Sequence, residues 1–131
     1  MRVSSHKLAI ALTERIGPVV PRPVTLVAAD REISVYSDGI RVGGAAAANI
    51  LDLRDRPLNK LLQTAVLSGL GDIQDMVIRE IQAQWPVERD GTLALPGARV
   101  DDASVISFWY GKNERAAAVS FRPIELSEIV D

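Results

Sequence analysis

Residues 57–85 read PLNKLLQTAVLSGLGDIQDMVIREIQAQW, and their spacing decides the fold. Apolar side chains recur at Leu58, Leu61, Leu62, Ala65, Val66, Leu70, Ile73, Met76, Val77 and Ile81. Steps of three and four keep one broad stripe on one side of a helix, so the segment is predicted to be a long amphipathic helix laid against a core. Asp55 is in position to cap it. Pro57 fits its first turn, where an amide hydrogen would lack a partner. The pattern is expected to run to Gln84 and stop before Pro86. Gly69 lies near the centre of the stripe, where a missing side chain lets another element approach the backbone, and Gly71 is a candidate bend.

Upstream, Ser4 or Ser5 suits the cap of a first helix ending near Ile16, with Leu8, Leu12 and Ile16 as a narrow stripe that places it on a surface. Gly17-Pro18 ends that helix, and Pro21 and Pro23 hold the next residues extended. Three short strands follow at Val24–Ala28, Ile33–Tyr36 and Ile40–Val42, the last two joined through the Asp38-Gly39 pair that favours a tight hairpin. Gly43-Gly44 and Ala45 to Ala48 read as a loop or an extra strand, because alanine favours helix while the flanking glycines and Asn49 oppose it.

Downstream, strands are predicted at Thr92–Leu95, Ala98–Asp101, Val105–Tyr110 and Arg115–Phe121, the last two as a hairpin. The tail from Arg122 to Asp131 reads as an edge strand followed by fraying. Helix, strands, long helix and strands together predict one α+β domain over residues 1–131, an antiparallel sheet packed on one long central helix with a short N-terminal helix. This order is similar to that of small bacterial α+β chaperone-like and immunity-like proteins, a likeness of layout that assigns no function.

The 131 residues are 47% hydrophobic, enough for a real core, and carry a net charge of -2. Such a balance gives no general attraction to nucleic acid or anionic lipid. Up to Val66 there are 9 basic and 6 acidic residues, a charge of +3; beyond it there are 6 and 11, a charge of -5. Opposite charges separated in this way favour self-association. The absence of cysteine removes disulfides, thiolate nucleophiles and thiolate metal sites, and fits a cytoplasmic location. No apolar run approaches the roughly 20 residues of a membrane span, and no secretory signal is read at the N-terminus. Twelve arginines against three lysines suggest a GC-rich bacterial genome.

Few side chains suggest chemistry. His6 is the single histidine and reads as exposed and inert, since ligand or base histidines need a partner group. Asp75 and Arg79 are spaced for a helix ion pair worth about 0.2–0.5 kcal/mol, with Asp72 beside them. Glu80 projects toward the apolar stripe, and near the helix end its carboxylate can reach solvent, pair with a sheet arginine or sit buried in a pocket with a raised pKa. Ser68-Gly69-Leu70-Gly71 falls inside the helix rather than between a strand and a helix, so it is no phosphate loop, and Ser68 has no base nearby. No catalytic residue, metal site or cofactor is assigned.

Phe108, Trp109 and Tyr110 are consecutive in a strand, so Trp109 faces opposite to the other two. With Trp85 they are the candidate interaction residues. Two functions follow. The first is a non-catalytic protein–protein interaction module acting as a homodimer, with a contiguous apolar patch outside the core. The second is a small-ligand binder or modest enzyme, with a pocket of about 300 Å³ or more between the long helix and the sheet that contains Glu80 and Tyr110. Nucleic-acid binding would require Arg54, Arg56 and Lys60 to cluster.

Overall fold

The Ser4 hydroxyl accepts the Lys7 amide at 3.1 Å and so starts α1 (Ser5–Ile16). The structure, a computed structural model, describes residues 2–46, 57–101 and 105–131. α1 buries Leu8, Ala9, Ala11, Leu12, Arg15 and Ile16, a wider face than the narrow stripe expected. The alanines and one arginine complete that face, so α1 is a core element rather than a surface one. A 3₁₀ turn at Gly17–Val19 follows.

β1 (Val24–Ala28), β2 (Glu32–Ser37) and β3 (Ile40–Ala46) form an antiparallel sheet in that order. Asp38 and Gly39 both have positive φ, 50° and 81°, as a two-residue turn with right-handed strand twist demands. Gly43 and Gly44 are neither a loop nor a separate strand. They continue β3, opposite Val35 and Ser34. A Cβ on Gly43 would strike Met76 Sδ, and one on Gly44 would overlap the Glu32 carboxylate, so the glycines are what let β3 pass beneath these side chains. The expected cap Asp55, and Ala47 to Asn49, lie outside the described residues.

α2 (Leu58–Ile81) buries Leu61, Leu62, Ala65, Val66, Gly69, Leu70, Ile73, Gln74, Met76 and Val77. Pro57 precedes the first turn instead of sitting within it, and its carbonyl accepts the Lys60 and Leu61 amides at 3.1 Å each. The helix stops at Ile81, before the expected Gln84. Gln82 turns left-handed at φ 57°, returns its amide to the Ile78 carbonyl at 2.9 Å and caps the Arg79 carbonyl with its side chain at 2.6 Å. Gly69 faces α1: a Cβ there would lie 4.0 Å from Leu12 Cδ1. The helix runs unbroken through Gly71.

β4 (Pro96–Val100), β5 (Val105–Gly111) and β6 (Ala117–Ser120) make a second antiparallel sheet, with β7 (Ile124–Glu125) sharing the β6 edge of β5. The α+β class holds, with two sheets in place of one. The strand expected at Thr92–Leu95 reduces to one bridge between Val87 and Leu93. Asp90 Oδ1 takes both the Thr92 amide (3.0 Å) and its hydroxyl (2.6 Å), which bends the chain into a turn instead.

α2 serves both sheets. Arg79 donates to the Val42 carbonyl of β3 at 3.2 Å, while Gln63 donates to the Ala98 carbonyl of β4 at 2.9 Å and the buried Gln74 to Ala94 at 2.7 Å. One core therefore joins Leu8, Leu12 and Ile16 of α1, Val35 of β2, Leu62, Val66, Leu70 and Ile73 of α2, and Ile106, Phe108 and Tyr110 of β5.

The tail does not fray. Ile124 and Ile129 are fully buried, the Ser4 amide donates to the Ile129 carbonyl at 2.7 Å, and Val130 bridges Val3. Arg15, with 3% of its side chain exposed, donates to the carbonyls of Arg122 (2.7 Å) and Pro123 (3.0 Å) and to both carboxylate oxygens of Glu128. These bonds replace the solvent that a loose tail would seek. Among the described residues no helix is long and apolar enough to cross a membrane.

Candidate functional site: the outer face of the second sheet

Side chains of β5 alternate between two environments. Ile106, Phe108 and Tyr110 enter the core, where Phe108 stacks on Phe121 at 5.0 Å and Tyr110 meets Trp85 edge-on at 5.4 Å. Ser107 and Trp109 take the opposite side. There Trp109 lies between Gly97 of β4 and Ser120 of β6. Its indole rests on Gly97, since a Cβ at that position would overlap the ring. Gly97→Ala is therefore expected to displace the indole and cost about 1–3 kcal/mol, read by urea unfolding together with a shift in tryptophan emission. An unchanged midpoint would mean that the ring does not lie there in solution.

Two residues before Gly97, the same alternation puts Leu95 on this face, 61% exposed. Beside the indole, Arg99 grips Glu114 through two bonds, Nε to Oε2 at 3.0 Å and Nη2 to Oε1 at 3.1 Å, and its Nη1 lies 3.7 Å from Asp101 Oδ2. The Arg99 hydrogen bonds and charge, with Ser107 adding to them, hold the Glu114 carboxyl below its ordinary range. α2 lies on the Phe108 and Tyr110 side; on the outer side Ser107 is buried, Trp109 is half-buried and Leu95 stands exposed.

The four aromatic candidates therefore do not share one patch. Phe108 and Tyr110 belong to the core, Trp85 packs on Tyr110 from the core side, and Trp109 alone faces outward. Glu80 and Tyr110 are not brought together either. The Tyr110 hydroxyl donates to the Leu70 carbonyl at 2.7 Å, and burial, then the charge of Asp75, raises its pKa well beyond the usual phenol range. Glu80 lies ten residues further along α2, about 15 Å away along the axis. It is held by Arg79 on its own helix, at 3.4 Å, rather than by a sheet arginine.

That contact replaces the expected Asp75 to Arg79 pair, because Arg79 is drawn to Glu80 and to the β3 edge. The Asp72 carboxyl is raised above its usual value, first by partial burial and then by Asp75. His6 is exposed, with Nδ1 3.0 Å from the Ala29 carbonyl oxygen. Ser68 to Gly71 lie within α2. Arg54 and Arg56 are outside the described residues.

Sequence reasoning missed two features. One is the Arg15 anchor; the only local signal for it is an arginine four residues beyond Ala11 on the buried side of α1. The other is a cleft of about 730 Å³ between residues Val87 to Asp90 and the stretch from Lys112 to Ala118. Its walls come from two turns that no periodicity links. No family model, no curated protein and no solved structure matches this chain.

Proposed function

We propose that this chain is a non-catalytic protein–protein interaction module that works as a homodimer, using the outer face of the second sheet as its contact surface. The observation that carries the reading is the composition of that face. Leu95 and Trp109 give it an apolar centre, and Arg99, Glu114 and Asp101 rim it with both signs of charge. An apolar centre with a rim of charges already paired within each copy is self-complementary across a two-fold axis, where Leu95 and Trp109 of one copy meet those of the other. Gly97, Ser107 and Ser120 keep the face low, so two sheets approach closely.

The commitments of the polar side chains favour binding over catalysis. Tyr110 is spent on Leu70, Glu128 on Arg15, Glu32 on Arg41 and Asp90 on Thr92. A protein partner suits the face better than nucleic acid, because Arg99 is already neutralised by Glu114. The lack of cysteine agrees with work in a reducing cytoplasm. The test is light scattering on the native chain and on Trp109→Lys. The native chain is expected at twice the single-chain mass, and the variant at the single-chain mass with an unchanged circular dichroism spectrum. A native chain that stays single at every concentration removes the dimer.

A further inference from the structure

We propose that the cleft between the turn at Val87 to Asp90 and the start of β6 binds an extended acidic peptide. The site is separate from the Trp109 face and does not depend on the dimer. Arg89, Lys112 and Arg115 line it together with Glu88 and Asp90. None of the three basic side chains joins an ion pair among the described residues, although the charge of Arg115 reaches Glu114, which Arg99 holds. Asp90 feels the charge of Lys112, but its Oδ1 is occupied by Thr92. Three cations thus line the cleft against two carboxylates, Glu88 and Asp90, a surplus of one positive charge.

Two details favour a peptide over phosphate. The amides of Arg115 and Ala116, which a phosphate would need, already donate to Asn113 Oδ1 at 3.0 and 2.9 Å. The shape agrees as well. Ala116 of the turn and the successive β6 residues Ala117 and Ala118 all line the cleft, although side chains of successive strand residues point to opposite faces. The strand therefore presents its edge, and β6 is the outermost strand on its side of the sheet. Small side chains there let an extended chain lie close, and the half-exposed Val87 adds an apolar contact.

The net charge of -2 repels acidic peptides in general, so binding depends on this local cluster. The probe is a fluorescein-labelled glutamate-rich peptide of about eight residues, roughly 26 Å when extended, followed by anisotropy. Native protein is expected to bind it, more weakly as salt rises, and to ignore a lysine-rich peptide of equal length. Reversing the three cations (R89E, K112E, R115E) is expected to weaken binding at least about ten-fold, with the circular dichroism spectrum retained because all three are exposed. Trp109→Lys is expected to bind as the native chain does. Undiminished binding by the triple variant would overturn the proposal, and loss of binding in Trp109→Lys would overturn the separate location. Displacement by inorganic phosphate, at an ionic strength where chloride has no effect, would overturn the choice of a peptide.

Discussion

Arg15→Met is expected to cost about 1–3 kcal/mol of folding stability, the range for leaving part-buried acceptors without their partner, and to release residues 122–131 from α1. The guanidinium is almost wholly enclosed and donates to two tail carbonyls, to its own helix at Ala11 and to both oxygens of Glu128. Methionine fills the volume and supplies no donor, so the Arg122 and Pro123 carbonyls lose their partner. Glu128 is part-exposed and rehydrates, which places most of the loss on the carbonyls. Urea unfolding measures the first effect, and hydrogen exchange across the tail measures the second. Arg15→Lys should recover only part of the loss, because an ammonium cannot span the forked set of acceptors.

The same contact gives a pH dependence. Burial acts to raise the Glu128 carboxyl, but the hydrogen bonds and charge of Arg15, with the Glu125 amide and Arg122, outweigh it, and the pKa is lowered. A carboxyl lowered on folding contributes stability that is fully present above its unfolded pKa and is lost as pH falls through the folded value. Acid should therefore loosen the tail of the native chain below the ordinary glutamate range. In Arg15→Met that part of the acid sensitivity should disappear.

Tyr110→Ala is expected to cost about 3–5 kcal/mol, as large aromatic truncations in cores do. Tyr110→Phe is expected to cost only about 1 kcal/mol, the worth of one hydrogen bond. The ring is fully buried among Trp85, Phe121 and α2, and its hydroxyl meets a carbonyl that keeps its place in the helix. The difference between the two variants separates a core residue from a chemical one. A hydroxyl at work on a ligand would leave stability nearly unchanged in Tyr110→Phe and alter binding instead. The unfolding midpoints of both variants decide this.

The long helix was legible because its stripe repeats locally and every member faces one core. Its end was not. Glutamine at position 82 carries no signal for a left-handed turn, and the turn is held by its own return bonds to Ile78 and Arg79. Alternation placed Phe108 and Tyr110 on one side of their strand and Trp109 on the other. Which side met the helix was set by distant partners, Leu70 for Tyr110 and Gly97 for Trp109. Gly43 and Gly44 read only as part of a loop or an extra strand, because Met76 and Glu32, which lie over them, are outside their local stretch of sequence. Arg15 follows the same logic, since its tail acceptors lie more than a hundred residues downstream. Apart from the local turn at Gln82, the missing information in each case was a contact distant in sequence, which local periodicity does not encode.

The central claim is that Trp109 is the contact residue of a two-fold interface. Acrylamide quenching of Trp109 fluorescence in a Trp85→Phe background, where the edge contact with Tyr110 is kept, tests it most directly. Quenching is expected to fall as protein concentration rises, because the second copy covers the indole. Equal quenching at every concentration would contradict the claim.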